Sequence, residues 1–243
     1  MKEARAAGSI GHRAIVQVMD AGFVDGTTPY LVMERLEGEN LEQRIIRRQG
    51  IRVRQASVAL REIMKGLAAA HAKGIVHCDL KPANIFLIDR RFDVGTVKIL
   101  DFGISKMAHE SRSARTESGE HVLGTPQYMA PEQVQGGLVS PATDLFGAGA
   151  VIYEALSGAS PFAGKNRVDT FLKILRDDPP PLVGKREPVP TTLAALVETL
   201  LRKDPRERPS SAQDVGKLLE DLGLVPPSGS MGSIRAAKPK LTS

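Results

Sequence analysis

The sequence predicts an α+β fold in which short β-rich runs lie within the first hundred residues and helices fill most of the remainder. Two observations carry this. Runs rich in β-branched, aromatic and other apolar residues at 15–18, 30–33, 85–88 and 97–100 are separated by turn-forming or charged residues, as half-buried strands are. Leu60, Ile63, Met64 and Leu67 follow the 0, 3, 4, 7 spacing of a buried helical stripe, and the chain beyond about residue 140 reads as helices punctuated by prolines. A chain of 243 residues with 42% hydrophobic content can bury a sizeable core.

Residues 2–8 have high helix propensity and stop at a glycine, which predicts a helix at the start of the chain. The runs 15–18 and 30–33 flank Asp25-Gly26 and predict a hairpin. Gly38 ends that segment, and Asn40 is placed to cap a helix over 41–49. A longer helix is predicted over 54–73. The runs 85–88 and 97–100 flank Asp89-Arg90-Arg91 and predict a short hairpin, with Lys98 expected as a solvated side chain of an alternating strand.

Residues 106–122 are polar and have no period, which predicts a mobile loop. Residues 144–156 are apolar on nearly every face, so this helix is expected at the centre of its region rather than at its surface. Helices are expected over 168–175, 192–201 and 212–222, with Pro179-Pro180-Pro181 breaking the chain between the first two. From Pro226 the composition predicts a disordered tail or linker.

Composition narrows the function. No run approaches eighteen apolar residues and the N-terminus lacks a secretory core, so a cytoplasmic location and no membrane segment are expected. The single cysteine, Cys78, cannot form an internal disulfide and is read as an inert small hydrophobe. The net charge of +5 is mild and partly due to the tail, and with few aromatics to stack bases no nucleic-acid partner is expected.

The chemistry concentrates in His77-Cys78-Asp79-Leu80-Lys81-Pro82-Ala83-Asn84. Pro82 fixes φ and removes a donor, so the segment reads as a loop between a helix ending near Gly74 and the strand that begins at residue 85. Such a loop can aim Asp79, Lys81 and Asn84 into one cleft. A carboxylate to accept a hydroxyl proton, a lysine to neutralise a moving phosphoryl group and an amide oxygen to hold Mg²⁺ together suit phosphoryl transfer. Asp101, after the strand 97–100, adds a second oxygen donor suited to a hard cation. His77 is expected to be structural, because Asp79 is the better-placed base.

In this order the motifs resemble those of a eukaryotic-type serine/threonine protein kinase of the bacterial kind. Residues 77–84 resemble the catalytic loop, Asp101-Phe102-Gly103 the metal-binding turn, and Ala130-Pro131-Glu132, with Gly124-Thr125 just before it, the end of the activation segment. The resemblance implies a kinase-like fold with a mostly helical large lobe and a remnant of the small β lobe. It implies residues 1–36 as that remnant and hinge, 37–225 as the large lobe and 226–243 as a tail.

By the same resemblance Asp79 is the catalytic base, Lys81 meets the γ-phosphate, Asn84 and Asp101 hold Mg²⁺, and Thr125 bridges catalytic loop and acceptor site. Lys81 is the serine/threonine form of the loop. ATP would lie with Met33 at the back of its pocket, the backbone of Glu34 and Leu36 facing adenine, and Phe86 as the floor. Four residues are implied as braces: Glu3 on the regulatory helix, Asp144 under the catalytic loop, and Glu132 paired with Arg208. Phe146 keeps aromatic bulk where the family often has tryptophan.

Cys78 occupies the position where many relatives carry the arginine that pairs with an activation-segment phosphate, so the resemblance implies that this switch is absent or uses another cation. The glycine-rich phosphate loop and the strand lysine of the family do not occur before Glu3. The expected function is transfer of the ATP γ-phosphate to protein Ser or Thr; the alternative is a pseudokinase or kinase-fragment binding module. A hairpin lacking its neighbouring strands would leave a small-lobe edge for a partner to cover. Poor solubility is therefore expected of the isolated chain, and a monodisperse, stable monomer in size-exclusion chromatography would count against this.

Overall fold

The structure, a computed structural model, describes residues 10–88, 97–102 and 126–226. The expectations for residues 2–8, for 106–122 and for the tail from 227 lie outside the described residues. Strand β1 (Val18–Val24) pairs antiparallel with β2 (Thr28–Met33), and the chain reverses at Asp25-Gly26, both with positive φ (53° and 71°). Such left-handed turns match the twist of the flanking strands.

The hairpin begins later than the sequence pattern predicted. Ile15 does not enter it; it bridges Ile99 in parallel, the Val16 N–H donates to the Ile99 carbonyl at 3.0 Å, and the Ile99 N–H donates to the Ala14 carbonyl at 2.8 Å. Ala14, Ile15 and Val16 are buried in succession, so this run behaves as an inner flank of the second sheet rather than as a half-exposed strand. In the hairpin itself Met19, Phe23, Val24 and Val32 are exposed.

The second sheet has the order β3 (Gly38–Asn40), β4 (Ile85–Ile88), β5 (Val97–Ile99), antiparallel throughout. Gly38, expected only to break the chain, opens β3, which is too short to leave a period in the sequence. Helix α1 (Leu41–Arg48) starts at a reciprocal cap: the Gln43 N–H donates to Asn40 Oδ1 at 2.8 Å and the Asn40 N–H to Gln43 Oε1 at 3.1 Å. Helix α2 (Val53–His71) buries the predicted stripe of Leu60, Ile63, Met64 and Leu67.

The remaining helices are α3 (Pro131–Val134), α4 (Pro141–Ser157), α5 (Arg167–Arg176), α6 (Thr191–Leu200) and α7 (Ala212–Asp221). Every residue of α4 from Thr143 to Tyr153 is buried, so it is the axis of the helical region, packed against α2 and α6. Its closest approach to α6 depends on Gly149, where an added Cβ would stand 2.8 Å from Leu200 Cβ. Among the described residues no helix is long and apolar enough to cross a membrane.

Substituting Gly149 by Ala should therefore force α4 and α6 apart and lower stability by about 1–3 kcal/mol, the usual range for overpacking. Gly216 in α7 has open space around it, and Gly216→Ala should raise stability by up to about 1 kcal/mol through helix propensity. Urea denaturation of the two variants beside the wild type should give shifts of opposite sign.

Candidate active site

The segment from His77 to Asn84 is held by a single buried carboxylate. Asp144, in the first turn of α4, accepts the backbone N–H of His77 on Oδ2 and of Cys78 on Oδ1, each at 2.9 Å. The last residue of α2, His71, points Nε2 at Asp144 Oδ2 from 2.7 Å. Three donors on one carboxylate compensate the cost of burying its charge. Cys78 has a φ of 65°, unusual for a residue with a Cβ, and it is held from both sides: its carbonyl accepts Gln133 Nε2 of α3 at 2.8 Å.

His77 faces the end of β5 rather than the cleft. Its Nε2 donates to the Leu100 carbonyl at 2.8 Å, its Nδ1 accepts the Asp79 N–H at 3.2 Å, and its ring stands edge-on to buried Phe102 at 4.6 Å between centroids. Those two contacts set the ring proton on Nε2.

Asp79 lies at the mouth of this arrangement with its side chain about 30% exposed. Lys81 Nζ donates to Asp79 Oδ2 at 2.7 Å, and Asn84 Nδ2 donates to the Asp79 carbonyl at 2.9 Å and to Oδ2 at 3.3 Å. Pro82–Asn84 forms a 3-10 turn, and the Leu100 N–H donates to the Asn84 carbonyl at 2.8 Å. Asn84 is thus fixed beside the end of β5, from which Asp101 follows with an exposed side chain and a φ of 57°.

The Asn84 amide nitrogen is directed at Asp79, which leaves Oδ1 as the atom this side chain can offer a cation. Asn84 and Asp101 together present only oxygen donors, the set a hard divalent cation takes. Among the described residues no group of three His, Cys, Asp or Glu could hold a metal by itself, so a cation here would need oxygens from its ligand.

Met33 closes β2 and is partly exposed, Leu36 is half-buried in the link to β3, and half-buried Phe86 on β4 lies opposite Lys98. Lys98 is not solvated, contrary to the sequence expectation. Its side chain is only 13% exposed, and Nζ donates to a Glu34 carboxylate oxygen and to the Ile15 carbonyl at 3.3 Å. Residues 14–16 flank β5, so the polar face that an edge strand would show to water is covered. Burial raises the Glu34 carboxyl, but Lys98 and the Gln17 N–H outweigh it and hold the group below the usual carboxylate range. Thr125 and Glu3 lie outside the described residues.

A second buried pair lies behind the loop. Arg208 donates from Nη1 to Glu132 Oε1 at 2.8 Å and from Nη2 to Oε2 at 2.9 Å, while the Thr143 hydroxyl donates to Oε1 at 2.8 Å. The guanidinium also donates to the carbonyls of Ala142, Arg202 and Lys203, and it lies 5.0 Å from the ring centroid of buried Phe146. Burial pushes the Glu132 carboxyl up, yet the Arg208 bonds hold it below the ordinary range.

Residues 1–218 match the family model described as the protein kinase domain. The chain belongs to the protein kinase family. Similar proteins include a probable serine/threonine-protein kinase PknB of Corynebacterium glutamicum, 35% identical over 92% of this chain and 34% of that protein. The serine/threonine-protein kinase PknA of Mycobacterium tuberculosis is 39% identical over 85% of the chain and 46% of its own length, and pkn3 of Myxococcus xanthus 32% over 87% and 39%. The chain thus spans between about a third and about half of the length of these curated relatives. The α+β class predicted from the sequence is that of the kinase family.

Several contacts had no sequence signal. The reach of Gln133 to the Cys78 carbonyl and the Glu34–Lys98 pair join segments far apart in the chain. Lys203 Nζ donates to the Ile174 carbonyl at 2.8 Å, stands 3.9 Å from the Phe162 ring centroid and is pushed down to about 8 by burial. His71 alone was accessible, as the last polar residue facing a predicted buried helix.

Glu132→Gln should lower stability at pH 7 by about 3 kcal/mol, because Arg208 stays buried without its counter-charge. A carboxyl held low in the folded chain contributes its stability above the unfolded value, near 4.3, and loses it as pH falls through the folded value. Urea midpoints measured from pH 7 to pH 3 should converge for wild type and variant at the acid end.

Proposed function

We propose that this chain is the catalytic part of a serine/threonine protein kinase, which transfers the γ-phosphate of ATP to a protein hydroxyl. The observation that carries the reading is the cluster at Asp79: a partly exposed carboxylate held by Lys81 and Asn84, beside the strand end that presents Asp101. As the acceptor oxygen forms its bond to the γ-phosphorus, its proton passes to Asp79 and the bond to the β–γ bridging oxygen breaks, with ADP as leaving group. Lys81 is near enough to Asp79 to balance charge on both the base and the transferred group.

Asn84 Oδ1 and the Asp101 carboxylate would hold Mg²⁺, which when bound neutralises phosphate charge. Met33, the backbone of Glu34 and Leu36, and Phe86 would frame the adenine. Asp144, Glu132 and Arg208 act as braces rather than as groups that touch substrate, and Thr125 and Glu3 take the roles that the family resemblance gives them.

In this reading residues 1–36 belong to the small lobe and hinge, 37–225 form the large lobe and 226–243 lead away as a tail. The exposed apolar side chains of the β1–β2 hairpin are then a surface for further polypeptide, and the lack of a spanning helix among the described residues is compatible with a cytoplasmic location.

Calorimetry of Mg²⁺-dependent ATP binding should show a heat of binding that Asp101→Ala abolishes. A transfer assay on a Ser/Thr protein substrate should lose at least about a hundredfold in rate with Asp79→Asn, the low end of general-base contributions. Folded protein that fails to bind ATP would instead make the chain a binding module.

A further inference from the structure

A cluster of cations on α2 surrounds one buried carboxylate, and none of its residues takes part in the chemistry above. Glu62 is only 4% exposed. Arg13 Nη2 donates to its Oε2 at 3.1 Å, while Arg61 Nε and Lys65 Nζ donate to its Oε1 at 3.2 Å and 3.0 Å. Lys65 lies one helical turn beyond Arg61 and Glu62, so its side chain can reach the same carboxylate. Arg13 comes from the run that flanks β5. That run lies close on α2: a Cβ added at Gly66 would stand 3.3 Å from the Ala14 carbonyl.

One carboxylate cannot balance three cations. The cluster keeps a positive excess, and it is open to solvent at Arg13 and Lys65, whose side chains are 57% and 30% exposed. Half-buried His12 feels the same excess: burial first, then the charge of Arg13 with help from Lys65 and against Glu62, holds its imidazole below the ordinary value. Each guanidinium spends part of its fork on Glu62, which pins it without exhausting its five donors.

The chain passes this cluster as it enters the tail. Helix α7 packs on α2, Val225 beyond it is buried, and the Val225 N–H donates to the Leu219 carbonyl at 3.3 Å. The next carbonyl, that of exposed Pro226, accepts Arg61 Nη1 at 3.1 Å. One guanidinium therefore joins Glu62 to the start of the tail. The sequence continues Pro227-Ser228-Gly229-Ser230, and an extended residue covers at most about 3.6 Å, so Ser228 is within about 7 Å of Pro226. Residues 227–243 contain Arg235, Lys238 and Lys240 and no carboxylate side chain, so the unmodified tail has nothing to offer a cationic cluster. A phosphate on Ser228 would bring a charge of about −1.5 to −2 and three strong acceptor oxygens.

We propose that Arg13, Arg61 and Lys65 bind a phosphoserine of this chain's own tail, at Ser228. The phosphate forms as Ser228 Oγ bonds to the γ-phosphorus of ATP, with loss of the hydroxyl proton and departure of ADP. The inference concerns where that phosphate is held and stands whichever kinase attaches it. Charge-assisted bonds from a guanidinium and an ammonium suit such a group. Held there, it ties the tail to α2 and, through Arg13, to the residues that flank β5.

The full chain would be made with phosphoserine placed at position 228 during translation, which removes any dependence on its own transfer activity. The rate at which a phosphatase removes the phosphate would be compared with the rate for the same phosphoserine in a free peptide of residues 224–232. Removal from the full chain should be at least about fivefold slower, the scale of one partly exposed ion pair. Arg13→Ala and Lys65→Ala should each return the rate most of the way to that of the peptide, Lys65→Arg should keep the protection, and about 0.5 M salt should weaken it. Each single variant leaves two cations on Glu62, and melting curves by circular dichroism would verify folding. A wild-type rate equal to that of the peptide, or protection that survives either alanine variant unchanged, overturns the proposal.

Discussion

The geometry of the candidate site depends on one carboxylate, Asp144, being buried at the start of the most buried helix. A carboxylate without water is tolerated only when donors replace its hydration, and here two successive backbone N–H groups and a histidine do so. The exchange is mutual. Cys78 is in a left-handed conformation that costs about 1 kcal/mol or more, and the two bonds to Asp144 and the one from Gln133 make that conformation the best available. Asp79 follows directly, so its direction is set by a helix rather than by a free loop.

The Glu132–Arg208 pair extends this logic to the other side of α4. Arg208 donates to three carbonyls as well as to Glu132, so removing either charge would leave several buried groups unpaired. Such a pair adds little net energy compared with an apolar replacement, but it permits one arrangement of α3, the α4 start and the segment before α7. Phe146 completes the arrangement: it stacks on Phe162 and receives the Arg208 and Lys203 cations near its ring. Aromatic bulk at this position is therefore tied to charge placement as well as to packing.

The sequence revealed elements wherever a period is long enough to register. The stripe of α2, the all-round apolar character of α4 and the Asp25-Gly26 turn each act through local rules that neighbouring residues share. It failed where the partner is distant. Residues 15–18 read as a strand of the hairpin, since nothing local says that Ile15 will lie beside Ile99, 84 positions later. The misreading of Lys98 has the same origin: an alternating strand shows one face to water only if nothing else covers it. In the site, residue types and their close spacing made Asp79, Lys81 and Asn84 legible as a cluster, whereas the reach of Gln133 to the Cys78 carbonyl joins positions 55 apart and carries no local signal.

The Lys98–Glu34 pair explains how the exposed hairpin keeps its place. Strands β1 and β2 pair with each other and bury little, so by themselves they belong to the weakly held end of the structure. Glu34, one residue beyond β2, accepts from Lys98 and from the Gln17 N–H, and its own N–H donates to the Gln17 carbonyl at 3.0 Å. Because Lys98 also reaches the Ile15 carbonyl, one side chain joins both ends of the hairpin to β5. Lys98 lies three residues before Asp101, so the segment proposed to face adenine and the carboxylate proposed to hold the metal share a single strand as their reference. An ion pair at this exposure contributes modest energy, and its physical value is registration: a hairpin with a small core of its own is kept at a fixed distance from the groups with which it must act.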